Sequence, residues 1–313
     1  MRRAFSTAAV AAAVLLAGCA PGAPSATAST PGRRTPSPST AASTLPSATP
    51  GVHGLSSCPA TQREDALPVL ARLGGAPDDL APAGDGGLWV SDEANNRITR
   101  LDARGTVVLR MIDARGPEGI VPQPDGTLIV AEQLPDRVVV IRPPSASPTS
   151  VLVQLQPASG HAGIDSVEAD DAGGRLLIPD SARGALRTAP FGGGGLTTLA
   201  SGLGRPVDAV IGPDGAVYVT AENAPGLTRV PSSGGPPMAV GSLADLDDLL
   251  ALGGLLYVTD MADGTVRAVD PSSGEDRILV TGIVQPQGLA RLDDGRLAVS
   301  DATHGLVLAF MPC

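Results

Sequence analysis

The sequence predicts an all-β chain folded as a six-bladed β-propeller. One observation is a unit of about forty residues that occurs six times. A second is an excess of turn formers, 39 Gly and 30 Pro in 313 residues. The third is a strand-like segment at the front of the domain that supplies what the last repeat lacks. Short apolar runs bounded by tight turns favour strands over helices. With aromatic residues at only 2%, the core must be built from Val, Leu, Ile and Ala.

Each repeat carries an Asp-Gly or Gly-Gly turn, an apolar run, a small residue and, in most copies, an acid. The copies occupy residues 85–92, 125–132, 173–180, 214–222, 253–260 and 294–301. Their apolar runs begin at Leu88, Leu128, Leu176, Val217, Leu256 and Leu297, giving spacings of 40, 48, 41, 39 and 41. Four short strands fit that length, as in a propeller blade. The Asp-Gly turn joins the innermost strand to the second, as hairpin chemistry requires. Third strands follow, as at 97–101 and 265–269. Outer strands are expected at 107–111, 151–155, 196–200, 238–240 and 277–280.

The sixth repeat runs out after 306–310 without an outer strand. Residues 67–71 take its place. Pro68 precedes Asp79 by 11 residues, the same step as Val108 to Gly119, Gln154 to Asp165, Thr197 to Asp208 and Arg277 to Gly288. An N-terminal strand zipped onto the last blade closes the ring and removes a free sheet edge.

Ahead of the domain, Arg2 and Arg3 are followed by an apolar stretch at 8–16, too short to span a bilayer. Leu16-Ala17-Gly18-Cys19 then resembles the lipobox of bacterial lipoproteins. That resemblance implies cleavage before Cys19, lipidation of its thiol, and residence on the outer face of the cell membrane. Arg2-Arg3-Ala4-Phe5 also has a faint likeness to a twin-arginine signal. Residues 20–57 are mostly Pro, Ser, Thr, Ala and Gly, with too little apolar surface to offset chain entropy. They are expected to form a disordered, semi-extended tether. The organisation expected is therefore a signal at 1–19, a tether at 20–57 and a propeller at 58–313. With Cys19 assigned to lipid, Cys58 and Cys313 lie at the two ends of the ring. In an oxidising exported setting they are expected to form a disulfide.

Charge narrows the partners. The chain has no Lys, and every acid lies beyond Cys58, where 18 Arg face 32 Asp and Glu for a formal charge of −14. A surface that acidic repels nucleic acid and anionic headgroups and tolerates cations. Membrane contact is expected through the lipid alone, and the domain is expected to be monomeric.

Residues 87–101, Gly-Leu-Trp-Val-Ser-Asp-Glu-Ala-Asn-Asn-Arg-Ile-Thr-Arg-Leu, closely resemble an NHL repeat. The Pro-x-Gly-apolar element of that repeat also appears at 117–120 and 286–289. The resemblance spans residues 67–312, with the third repeat the most degenerate. Similar propellers include sensor domains of bacterial receptor kinases and the gluconolactonase/regucalcin group. Because that fold hosts binders, hydrolases and lyases, the resemblance implies architecture rather than activity.

In a propeller the start of each innermost strand faces the central channel. Here those positions are Asp79, Gly119, Asp165, Asp208, Asp248 and Gly288. Four carboxylates about one axis would suit Ca²⁺ or another hard divalent cation, or a cationic organic ligand. Strand-start Asp residues also serve turns, so a structural role stands beside that one. The gluconolactonase-type metal set, as the resemblance implies it, mixes Glu, Asn and Asp. This chain has no Asn at its inner positions. A second acidic series, Asp92, Glu132, Asp180, Asp260 and Asp301, fits turn bonding. Of the histidines, His53 lies in the tether, His161 near the expected channel mouth, and His304 in a blade turn with no role assigned. No metal-binding His pair, nucleophile elbow or phosphate loop occurs. The function that follows is a lipid-anchored extracytoplasmic module binding a small molecule, glycan or protein at its rim. The alternative is a Ca-type, lactonase-like hydrolase with Asp208 or Asp248 as base.

Overall fold

The computed structural model describes residues 54–113, 115–156 and 163–313. Six sheets are present, each wound outward from its innermost strand. Blade 1 comprises Leu80–Pro82, Leu88–Asp92, Arg97–Leu101 and Val107–Ile112. Blade 2 comprises Pro117–Pro122, Leu128–Glu132, Arg137–Arg142 and Ser145–Gln154. Blade 3 comprises Glu168–Asp170, Arg175–Asp180, Ala185–Pro190 and Thr197–Ser201. Blade 4 comprises Pro206–Ile211, Val217–Ala221, Leu227–Val230 and the short Met238–Ala239. Blade 5 comprises Leu246–Leu252, Leu255–Asp260, Thr265–Val269 and Asp276–Thr281. Blade 6 comprises Pro286–Arg291, Leu297–Asp301 and Leu306–Phe310, and takes its outer strand, Val69–Arg72, from the front of the domain. Among the described residues no helix is long and apolar enough to cross a membrane.

The closing strand runs antiparallel to Leu306–Phe310, with Val69 opposite Leu308 and Arg72 opposite Leu306. Immediately before it lies a pairing the sequence does not announce. Gln62–Arg63 runs parallel to Asp276–Thr281 and forms a fifth strand of blade 5. The chain entering the domain therefore contacts blade 5 before it completes blade 6. Cys58 and Cys313 are joined by a disulfide across 255 residues of sequence. Cys58 is buried, and the Cys313 amide donates to the Tyr257 hydroxyl at 3.2 Å.

The core consists of six apolar layers, one between each pair of neighbouring blades. The strand period of two creates them: alternate side chains face opposite neighbours. In Leu88–Asp92, Trp89 packs with Ile120 and Leu128 of blade 2, whereas Leu88 and Val90 pack with Ala298 and Val307 of blade 6. The layer between blades 5 and 6 is the largest and takes in Cys58 and Leu67, so the ring's closure is buried apolar structure as well as hydrogen bonding.

The inner hairpins owe their geometry to the Asp-Gly pairs. Gly126 and Gly215 have φ of +81° and +77°, which glycine adopts without steric cost. The preceding Asp125 and Asp214 each accept an amide two residues on, from Thr127 at 3.0 Å and Ala216 at 3.1 Å.

Candidate functional site

The channel is shaped by an irregularity shared by the inner strands. In blade 4, Pro206 pairs with Ala221 and Ala209 with Val219, so Val207 and Asp208 together oppose Thr220. Blades 2, 5 and 6 show the same two-against-one bulge at 118–119, 247–248 and 287–288. A bulge re-aims side chains that ordinary alternation would send to opposite faces. It also frees an amide, and the small residue of the repeat serves it. The amides of Asp79, Asp208 and Asp248 donate to the hydroxyls of Ser91 (2.9 Å), Thr220 (3.2 Å) and Thr259 (2.8 Å).

Two consecutive positions per blade thus line the axis. The upper set is Asp78, Glu118, Asp165, Val207, Asp247 and Gln287, around a cavity of about 170 Å³. The lower set is Asp79, Gly119, Ser166, Asp208, Asp248 and Gly288. Below it opens a more apolar vestibule of about 220 Å³, lined in part by Ile120, Val121, Leu250 and Leu289. Asp79 borders both cavities.

The sequence placed Asp79, Asp165, Asp208 and Asp248 in one ring, and the structure divides them. Asp165 belongs to the upper set, and Ser166 occupies the position equivalent to the other three. The backbone register shows why: Gly119 donates to the Asp165 carbonyl at 3.2 Å just as Gly288 donates to that of Asp78 at 3.1 Å. The long insertion before blade 3 shifts the count by one. Asp165 is closely held, accepting from Gln133 Nε2 (2.5 Å) and Ser181 Oγ (2.9 Å) and pairing with Arg205 (3.1 Å).

Asp208 and Asp248 each tie one blade to the next. Asp208 Oδ2 accepts the Leu249 amide of blade 5 at 3.0 Å, and Asp248 accepts the Leu289 amide of blade 6. Asp208 Oδ1 is buried with no hydrogen-bond partner among the described residues. The half-buried Asp79 carboxylate faces the channel. Blades 2 and 6 replace the tying carboxylate by glycine, because the neighbouring backbone passes too close for a side chain. A Cβ on Gly288 would stand 2.3 Å from the Asp78 carbonyl oxygen, and one on Gly119 2.3 Å from the Val167 amide nitrogen. Gly288→Ala is accordingly expected to destabilise the domain by about 1–3 kcal/mol or more, the scale of overpacking a tight interior. Urea unfolding of the variant beside the parent checks it.

The upper cavity also gathers Glu93, Gln133 and Glu222 from the turns that follow the second strands, with Arg205 as the cation among its lining residues. Arg205 is engaged by Asp165 and Glu222. Gln133 is 4% exposed. Its amide nitrogen donates to Glu118 (3.1 Å) and Asp165 while its Oε1, also buried, has no hydrogen-bond partner among the described residues.

Burial, then mutual repulsion, raises the acids of the axis. Asp78 is pushed up to about 7 and Asp165 to about 6. Burial also lifts Asp79, Glu118, Asp247 and Asp248 well above the usual carboxylate range, with neighbouring carboxylates adding to it, and raises Asp208. Glu168, in the lower vestibule, is pushed to about 8. Its register equivalents are Ala81, Val121, Val210, Leu250 and Ala290, so one acid in an otherwise apolar column was the available signal for it.

In the second acidic series Asp92, Asp260 and Asp301 accept turn amides, whereas Glu132 and Asp180 are held by arginine. Asp92, Glu132, Asp180 and Asp260 each pair with an arginine of the following strand: Arg97, Arg137, Arg187 and Arg267. His161, Cys19 and His53 lie outside the described residues.

No family model and no curated protein sequence matches the chain. Solved structures do match in fold. A streptogramin B lyase superposes with a TM-score of 0.58 at 13% identity, covering 78% of this chain and 96% of that one. A gluconolactonase, XC5397 from Xanthomonas campestris, gives 0.59 at 15% identity, covering 78% and 88%. A chain of the nidogen/laminin complex gives 0.59 at 19%, covering 68% and 84%. At such identities the likeness establishes the six-bladed propeller, and nothing about chemistry.

Proposed function

We propose that this chain is an exported, lipid-anchored propeller whose axial channel binds a small multivalent cation or cationic ligand. The observation that carries the reading is the lining of the upper cavity. Its side chains are almost all acceptors, its arginine is held by Asp165 and Glu222, and a buried Gln133 Oε1 has no donor among the described residues. A ligand there must bring positive charge or N–H groups. The all-oxygen donor set of Asp78, Glu118, Asp247 and Gln133 Oε1 also suits a hard divalent ion such as Ca²⁺. The lipobox-like signal and the Pro/Ser/Thr-rich segment support a position on the outer face of the membrane, and the nidogen/laminin likeness supports a binding role.

Lactone hydrolysis is the second reading, favoured by the gluconolactonase likeness. Asp208 and Asp248 suit it poorly as bases, because each holds an amide of the adjoining blade. Asp78, lining the upper cavity and pushed up to about 7, is better placed.

Thermal shift of EDTA-treated protein with Ca²⁺ and with spermidine tests the proposal. At saturation of about 100 Kd, stabilisation should be about 2.7 kcal/mol. Asp247→Asn should abolish most of it. A midpoint unmoved by either cation removes the binding reading, and calcium-dependent hydrolysis of a simple lactone would replace it with the second.

A further inference from the structure

The repeat's internal consistency exposes one place where a cation is missing. Four of the five second-strand acids pair with arginine, as described above. The fifth, Asp301, is fully buried and has none. The positions five and seven residues on, which supply arginine in the other blades, are Leu306 and Leu308, both in apolar layers. Asp301 Oδ2 instead lies 2.6 Å from His304 Nδ1, while Oδ1 accepts the amides of Thr303 (3.0 Å) and His304 (3.3 Å).

The ring closure then adds a second negative group. Glu64 sits on the single 3₁₀ turn Glu64–Ala66, between the parallel strand Gln62–Arg63 and the closing strand Val69–Arg72. Its Oε1 is 3.8 Å from the same His304 nitrogen. One donor atom from each of the three residues falls within 4.8 Å of the others. Where those four blades set arginine against the acid, this blade sets an imidazole between two carboxylates.

We infer that Glu64, Asp301 and His304 form a binding site for a divalent transition ion, best matched by Zn²⁺, at the seam where the N-terminal segment meets blade 6. One imidazole nitrogen and two carboxylate oxygens are a donor set zinc accepts, with ligand distances of about 2.0–2.2 Å. Tetrahedral donors at that range stand roughly 3.4 Å apart, and the two separations to the imidazole bracket this value. The ion would replace the proton between Asp301 and His304 and neutralise the carboxylate pair. His304 is solvent-exposed, so the ion can enter and keep water in its open position. This site shares no residue with the axial channel. Because Glu64 is separated from its co-ligands by most of the chain, the ion would act as a clasp on the closed ring.

The experiment is titration of the EDTA-stripped protein with Zn²⁺ by calorimetry, and with Co²⁺ by its visible absorption. His304→Ala, Glu64→Gln and Asp247→Asn are run beside the parent. The Zn²⁺ equivalent that depends on His304 and Glu64 should be present in the parent and in Asp247→Asn, whatever the axial channel itself takes up. Affinity should fall by at least about tenfold in His304→Ala and Glu64→Gln, the loss seen even for outer-shell partners. Zinc should raise the melting midpoint of Asp247→Asn but not of Asp247→Asn combined with His304→Ala. Unchanged affinity in His304→Ala, loss confined to Asp247→Asn, or no binding to the parent would each overturn the site.

Discussion

Replacing Cys58 and Cys313 by serine is expected to lower the thermal midpoint by about 10 °C or more. A cross-link enclosing a loop of 255 residues contributes about 5 kcal/mol by chain-entropy reasoning. For a domain of this size each kcal/mol corresponds to roughly 2–4 °C. Local structure adds to the estimate, because Cys58 is part of the apolar layer between blades 5 and 6. Amide exchange should rise first in Val69–Arg72 and Leu306–Phe310, the two strands that meet at the closure. Differential scanning calorimetry of the double variant, with hydrogen exchange on the same samples, gives both readouts. A midpoint within about 2 °C of the parent would mean that strand pairing and apolar packing alone hold the ring shut.

A comparably large effect is expected from pH. Each axial acid has a folded pKa above its unfolded value of about 4. Between those values the folded protein holds more protons than the unfolded chain, so raising the pH through the window lowers stability. The window runs from about 4 up to the folded values, about 6 for Asp165, 7 for Asp78 and 8 for Glu168. The hairpin-turn acids act in the opposite sense. Asp85 and Asp125 are held below the usual range by hydrogen bonds with the residues two on, and their contribution is lost as the pH falls through their folded values. Metal-free protein should therefore melt highest near about pH 5 and lose about 5 °C or more by pH 8. A saturating axial cation should flatten that slope, since it takes over the role of the protons. A midpoint that climbs steadily from pH 5 to 8 in EDTA would contradict the repulsive ring.

How far the sequence foretold this molecule depends on which residues follow a simple period. The forty-residue repeat exposed all six blades, because each needs its own Asp-Gly or Gly-Gly turn and its own apolar strand. The closing strand was legible from the 11-residue step between outer and inner strands. The channel was half legible. Period-two alternation sends neighbours to opposite faces, so reading one inner position per blade found Asp79, Asp208 and Asp248 and passed over Asp78, Glu118 and Asp247. The bulge that turns both positions inward has its trace in Ser91, Thr220 and Thr259, whose hydroxyls answer the freed amides. Gln62–Arg63 was not legible at all: two residues carry no alternation, and what they pair with is settled by the fold. The surroundings of His304 were hidden for the same reason, since Glu64 reaches it only after the ring has closed.

The point of entry of the chain decides how the propeller would bear mechanical load. A pull applied ahead of residue 58 would reach Cys58 before any strand, and the disulfide would pass it straight to Cys313 at the end of blade 6. The closing strand is thereby shielded from being peeled away one hydrogen bond at a time.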